Sequence, residues 1–149
     1  VMITNRGPKL IEFNCRFGDP ETQVVLPRLD TDLVSIGQKT IKKNLKEMSI
    51  DFIPQNAITV VIASKGYPGE FEKGVLLPPL KNFDNEIDIS VFHSGTSKDK
   101  NDNLVSNGGR VLSITSIGAN VKDCRQKAYN IVEALGWDKG FYRRDIGKL

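Results

Sequence analysis

Glu12, Asn14 and Arg16 stand at alternate positions in the stretch Lys9-Leu10-Ile11-Glu12-Phe13-Asn14-Cys15-Arg16-Phe17-Gly18-Asp19-Pro20-Glu21-Thr22-Gln23. If Lys9 to Phe17 is a strand, side chains two apart share a face. Glu12, Asn14 and Arg16 then line one face, and Ile11, Phe13, Cys15 and Phe17 line the other, which makes the strand half buried. A carboxylate and an amide oxygen suit a hard cation such as Mg²⁺, with water and phosphate oxygens completing its shell. The guanidinium suits phosphate or carboxylate. From alternation alone, a polar strand face meeting solvent is the commoner outcome. The turn Arg16-Phe17-Gly18-Asp19-Pro20-Glu21 changes that balance. It adds a fork donor, two carboxylates and a bend directly after the ligand candidates, an arrangement costly in solvation unless ligands use it.

Two Gly-rich turns follow strand-like runs, Gly66-Tyr67-Pro68-Gly69 and His93-Ser94-Gly95-Thr96. Free backbone N–H groups in such turns can bind phosphate, although most Gly/Pro turns only turn. His93 by itself is more often a structural histidine than a catalyst. Arg110, beside Gly108-Gly109, suits an anion or a neighbouring carboxylate. No Ser-His-Asp set and no GxxxxGK[ST] loop is present.

The elements that must position these groups read as follows. Val1-Met2-Ile3-Thr4, the turn Asn5-Arg6-Gly7-Pro8 and the opening strand make a hairpin. A hairpin already under way at residue 1 looks like part of a longer chain. Glu21 to Leu29 reads as a short helix limited by Pro27. Asp30-Thr31-Asp32 offers N-caps for a helix carrying Leu33, Ile36, Gly37, Thr40, Ile41, Leu45 and Met48 at helical spacing. Its Lys39, Lys42, Lys43 and Lys46 read as a solvated face rather than a nucleic-acid site.

Ser49 to Asn56 is a linker, and a domain boundary is placed near it: 1–50, then a β-rich 51–149. Ala57 to Ala63 is a continuous apolar strand buried on both faces. Val75 to Leu77 is a short strand, and Ile87 to Phe92 alternates as a half-buried one. Ser97 to Asn103 is charged and exposed. Leu104-Val105, the turn Asn107-Gly108-Gly109 and Arg110 to Thr115 read as a hairpin. Asn120 and Asp123 cap a second helix with Val121, Cys124, Ala128, Ile131, Val132 and Leu135 on its apolar stripe, and Gly136 ends it. The expected class is α+β.

The composition is that of an ordinary globular chain: 149 residues, 39% hydrophobic and 26% charged. A formal net charge of +3 is too even to argue for nucleic acid. Cys15 and Cys124 lack CxxC spacing and each falls on an apolar side, so two buried thiols in a reducing compartment are expected. No apolar run approaches the roughly 18 residues of a membrane span. One histidine excludes poly-histidine zinc sites.

Ile11-Glu12-Phe13-Asn14-Cys15-Arg16-Phe17-Gly18-Asp19-Pro20-Glu21 resembles the signature of the phosphoribosylamine–glycine ligase family, the glycinamide ribonucleotide synthetases of the ATP-grasp superfamily. The resemblance covers essentially the whole chain. Gly66-Tyr67-Pro68-Gly69, Val91-Phe92-His93-Ser94-Gly95-Thr96, Asn107-Gly108-Gly109-Arg110-Val111-Leu112 and Tyr142-Arg143-Arg144-Asp145-Ile146-Gly147 recur in the family in this order. Ser94 stands where the family pattern has Ala.

The resemblance implies a cytoplasmic enzyme of de novo purine synthesis. In the implied reaction ATP, as substrate, phosphorylates the glycine carboxylate. The amine of 5-phosphoribosylamine then displaces phosphate. Glu12 and Asn14 are implied ligands of Mg²⁺ or Mn²⁺. Arg16 would hold the glycine carboxylate or acyl phosphate, Asp19 an amine, and Glu21 the turn or the metal's surroundings. Gly66, Tyr67, His93, Thr96 and Arg110 are implied in binding the sugar-phosphate substrate.

The implied architecture is the last hairpin and helix of an ATP-grasp domain (1–50), followed by a barrel-sandwich-like β-rich domain with one packed helix (51–149). The implied partners are ATP, glycine, 5-phosphoribosylamine and the missing N-terminal domains of the same enzyme, with no nucleic acid and no membrane. The whole enzyme is expected to be roughly three times this length, so the fragment by itself is expected to be inactive. Two rivals are another ATP-grasp purine enzyme, a carboxyaminoimidazole ribonucleotide synthetase, and a non-catalytic binding or assembly module. The Arg16 to Glu21 signature argues against the first.

Overall fold

The computed structural model describes residues 1–80, 83 and 88–148. Its core is built on two long β-branched runs. These are β3 (Asn56–Ser64) and β7 (Arg110–Gly118), which pair antiparallel, with Val60 opposite Ile114. The strand β4 (Ile89–His93) adds to the other edge of β7, and the two-residue β8 (Gly140–Phe141) adds to β3. The sheet order is β4-β7-β3-β8. The expected strand at Ile87 to Phe92 is thus found from Ile89, while Ile87 lies outside the described residues.

Strand alternation divides the sheet into two faces. Ile58, Val60, Ile62, Leu112 and Ile114 lie on one, buried against the helix α3 (Val121–Leu135) through Cys124, Ala128, Tyr129, Val132 and Leu135. The helix ends follow the expected chemistry. The Asn120 side chain accepts from the Asp123 N–H, Asp123 accepts from the Ala119 N–H, and Gly136 terminates the helix at φ 57°. Lys127 ties α3 to the start of β4 by bonding both Asp88 and Asp123. Those hydrogen bonds, Asp88 first, hold its ammonium above the usual lysine range. Tyr129, which the apolar stripe omitted, is buried, and its hydroxyl donates to the Arg143 carbonyl.

The other face carries Thr59, Val61, Ser113 and Thr115. It is only partly covered, so β3 is not buried on both faces as the apolar run implies. The short helix α1 (Thr22–Val25) and the 3₁₀ turn Leu26–Arg28 lie here against β3. The buried Thr115 hydroxyl donates to the Gln23 carbonyl at 2.8 Å and lies 2.8 Å from the Thr59 hydroxyl.

Several expectations need correction. The first hairpin forms, with β1 (Met2–Thr4) paired to β2 (Gly7–Lys9). The strand expected to continue to Phe17, however, stops at Lys9. Ile11 and Phe13 are 63% and 81% exposed, so the segment is not half buried, and Cys15 is an exposed rather than buried thiol. No described strand pairs with it, and an unpaired strand satisfies neither its backbone groups nor its apolar face.

The helix expected through Met48 ends as α2 (Leu33–Ile41), followed by a separate 3₁₀ turn, Leu45–Glu47. Asp32 caps its start through the Ser35 N–H. Lys43 at φ 58° closes its end, with Lys43 N–H on the Thr40 carbonyl and Asn44 N–H on the Lys39 carbonyl. That pair of bonds is a Schellman closure with lysine where glycine is usual.

The hairpin expected between Leu104 and Thr115 is not formed either. The strand β6 (Leu104–Ser106) pairs with β5 (Thr96–Lys98), so the charged run supplies the hairpin turn. Asp99 organises that turn by accepting from the Asn101 and Asn103 N–H groups. Asn107-Gly108-Gly109 is instead a crossing, in which the Ser64 N–H bonds the Gly109 carbonyl. Val75 to Leu77 contributes one bridge, Leu76 to Val105, rather than a strand.

Candidate functional site

The partly covered face opens into a cleft of about 990 Å³ between α1 and the ends of β4 and β7. That is large enough for a drug-sized or nucleotide-sized ligand. It brings together Asp19, Tyr67, His93 and Arg110, four of the residues singled out from sequence.

Arg110 reaches the cleft because β7 is irregular. Strict alternation from Leu112 would put Arg110 on the α3 face. The register shifts between Ile62 and Ala63, so Arg110 pairs with Ala63 and Val111 is the extra residue, buried in the core. A bulge of this kind re-aims the side chain beyond it. The guanidinium then meets the Asp19 carboxylate at 3.2 Å and the Asp19 carbonyl at 3.1 Å.

Close backbone contacts form the floor. Gly95 and Gly108 touch, so that a Cβ on Gly95 would fall 2.6 Å from both Gly108 Cα and the Arg110 carbonyl oxygen. The Tyr67 ring lies directly on Gly109, where a side chain would fit only if the ring turned aside. Gly66, at φ +100°, does not line the cleft. It shapes the turn that presents Tyr67 and would collide with the Glu70 carbonyl if it carried a Cβ. Thr96 lies behind the wall, with its hydroxyl 3.0 Å from His93 Nδ1.

The entry turn is held by Gly18, whose carbonyl accepts from both the N–H and the hydroxyl of Thr22, at 2.9 and 2.6 Å. Asn14, Arg16 and Glu21 line a second, adjoining cleft of about 580 Å³, with Phe17 shared between the two. Arg16 donates to the Phe17 carbonyl at 2.9 Å. Glu12 lines neither cleft. Apart from Glu12, the site candidates of the first motif therefore split between two adjacent openings, Asp19 in the larger and Asn14, Arg16 and Glu21 in the smaller.

Sequence reading missed Gln23, Ser90 and Phe92, which also line the larger cleft. Ser90 and Phe92 were recoverable, since alternation places them opposite the apolar Ile89 and Val91. Gln23 carried only its place after the Arg16 to Glu21 turn.

Among the described residues no three His, Cys, Asp or Glu side chains cluster in a way that could hold a metal. Glu12 and Asn14 supply two oxygen donors and no nitrogen or sulfur. That donor set fits a hard cation that keeps most of its water and phosphate ligands. No described helix is long and apolar enough to cross a membrane.

Residues 57–149 match the family described as phosphoribosylglycinamide synthetase, C domain. A chloroplastic phosphoribosylamine–glycine ligase of Arabidopsis thaliana is 44% identical over 99% of this chain and 28% of its own length. The phosphoribosylamine–glycine ligase of Brucella melitensis is 42% identical over 99% of this chain and 34% of its own. In structure, the phosphoribosylamine–glycine ligase of Thermotoga maritima superposes with a TM-score of 0.73 at 29% identity, covering 97% of this chain and 34% of that one. The chain spans about a third or less of the length of these relatives. With a family match over most of its residues, the chain belongs to the phosphoribosylglycinamide synthetase family.

Proposed function

We propose that the chain is the C-terminal part of an ATP-dependent ligase that joins glycine to 5-phosphoribosylamine. The observation that carries this reading is the cleft in which Asp19 and Arg110 meet beside Tyr67 and His93. It places a cation, a carboxylate, an imidazole and an aromatic wall around a space suited to a phosphorylated sugar amine. Residues 1–50 belong on this reading to the end of an ATP-grasp domain, and 51–149 to a β-rich, barrel-sandwich-like substrate domain. The partners are the enzyme's N-terminal domains, which grip the nucleotide, and the compartment is the cytoplasm.

The reaction has two steps on this reading. The glycine carboxylate attacks the γ-phosphorus of ATP, giving glycyl phosphate and ADP. The sugar amine then attacks the acyl carbon and phosphate leaves. Arg110 binds an anionic group of the sugar phosphate by charge-assisted hydrogen bonds. Asp19 orients that guanidinium and offers an acceptor to an amine. Tyr67 and the Gly95–Gly108 contact shape the wall. Arg16 and Glu21 flank the acyl-forming side, and Glu12 and Asn14 would hold Mg²⁺ or Mn²⁺. Such an ion neutralises charge on the transferred phosphoryl group.

The test is ADP release by the full-length protein that carries this segment. It should require glycine, 5-phosphoribosylamine and ATP together, and Glu12→Ala should abolish it. Normal turnover in that variant would overturn the metal assignment. Turnover by the 149-residue chain alone would overturn the need for the N-terminal domains.

A further inference from the structure

We propose that His93 accepts the proton lost by the attacking amine when the amide bond forms. The inference rests on the ligase reading above and assigns one of its steps to one side chain. His93 closes β4 at the wall of the larger cleft and is exposed to it. Its Nδ1 lies 3.0 Å from the Thr96 hydroxyl. With Nδ1–H donating to that oxygen, Nε2 keeps its lone pair for an incoming proton. The same hydrogen bond stands once Nε2 is protonated, so one ring orientation serves the base and its conjugate acid.

The backbone holds the ring in place. Ser94 and Gly95 N–H groups bond the Val111 and Arg110 carbonyls at 2.9 and 2.8 Å, and the Gly95–Gly108 contact leaves the turn no room to shift. The imidazole therefore sits at the end of β4, beside the start of β7 that presents Arg110.

The other charged or titratable groups facing this cleft are Asp19, Arg110 and Tyr67. The Asp19 carboxylate is engaged by Arg110. A guanidinium has no lone pair to offer, and a phenol is protonated at neutral pH. Imidazole is the side chain that ordinarily exchanges a proton in the neutral range.

The step balances as follows. The amine lone pair forms the C–N bond to the acyl carbon. The bond from that carbon to the phosphate oxygen breaks, and phosphate leaves with the electron pair. The surplus proton on nitrogen passes to His93 Nε2 and then to solvent.

The experiment separates the two half-reactions in the full-length protein that carries this segment. Glycine-dependent exchange of ¹⁸O between the bridging and non-bridging positions of ATP reports acyl phosphate formation alone. Amide formation is followed with 5-phosphoribosylamine generated from ribose 5-phosphate and ammonia. In His93→Gln, amide formation should fall by about 10²- to 10³-fold while the isotope exchange stays within about threefold of wild type. The rise of kcat with pH on its acid side should disappear. Thr96→Val should cost about tenfold and move that acid limb rather than abolish it.

Amide formation within about threefold of wild type in His93→Gln would overturn the proposal. So would an equal loss of exchange and amide formation, which marks a structural or binding role. A wild-type protein that releases no ADP with glycine and the amine overturns the ligase reading, and this step with it, before any variant is made.

Discussion

The Arg110 guanidinium meets Asp19 twice, through the carboxylate at 3.2 Å and the backbone carbonyl at 3.1 Å, across 91 positions of sequence. The pair fastens the turn before α1 to the re-aimed end of β7. The two side chains are 39% and 43% exposed. A pair so open to water contributes about 0–1 kcal/mol to folding, so its consequence lies in the cleft it shapes.

Arg110→Ala should accordingly shift the urea unfolding free energy of the chain by no more than about 1 kcal/mol. Binding of ribose 5-phosphate to the full-length protein, followed by calorimetry, should weaken by about tenfold or more, because charge-assisted hydrogen bonds are lost. A large loss of stability with binding intact would make Arg110 a structural clamp instead.

The glycines of the floor differ in what obstructs them. At Gly95 the obstacles are the Gly108 and Arg110 backbones, which cannot turn aside. At Gly109 the obstacle is the Tyr67 ring, which can. Gly95→Ala should therefore destabilise by about 3 kcal/mol or more, and Gly109→Ala by about 1–3 kcal/mol. Adding Tyr67→Ala should restore much of the Gly109→Ala loss and none of the Gly95→Ala loss. Denaturant melts of the four variants decide it, and equal rescue of both would refute the distinction.

What the sequence made legible was local. Asp32, Asn120 and Gly136 announced the helix ends, because caps are read from one residue and its near neighbours. The β-branched runs of β3 and β7 announced the core. Pairing was less legible. The Asn107-Gly108-Gly109 turn resembles a hairpin signal, yet its glycines serve the close approach of Gly95 and Tyr67. The run Asp99 to Asn103 lacks glycine, and its turn depends on the Asp99 side chain and on Asp102 at φ 65°. Arg110 was singled out for an anion or a neighbouring carboxylate, and it meets the Asp19 carboxylate, but its face depends on a bulge that no periodicity shows. The first motif failed as a strand because a strand is stabilised by its neighbours, and no described residue pairs with it.

Lys43 offers a test of backbone strain. It holds φ 58° at the C′ position of α2, where an L side chain costs about 1–2 kcal/mol relative to the right-handed region. Lys43→Gly should raise the unfolding free energy by up to about 1 kcal/mol, the flexibility of glycine in the unfolded chain offsetting part of the relief. Lys42→Gly, one residue earlier at φ −75°, should lower it. A loss in both would mean that the Schellman closure does not form in solution.

The pH dependence has a sign on each side of neutrality. Hydrogen bonds from Ser35, Asn103 and Arg143 hold the carboxyls of Asp32, Asp99 and Asp145 below the usual carboxylate range. For a group depressed on folding, the contribution is present above the unfolded value of about 3.9 and is lost as pH falls through the folded value. Lys127 behaves oppositely, because Asp88 and Asp123 raise it. Its contribution is present below the unfolded value of about 10.4 and is lost as pH rises through the folded value. Asp145→Asn should therefore be less stable than wild type at neutral pH, with a gap that narrows as the solution is acidified below about pH 4. Lys127→Gln should show the mirror image, its gap narrowing only on the alkaline side. Urea midpoints measured across pH for the three proteins test both signs. A gap independent of pH in either variant would show that the charge at that position adds nothing to the fold.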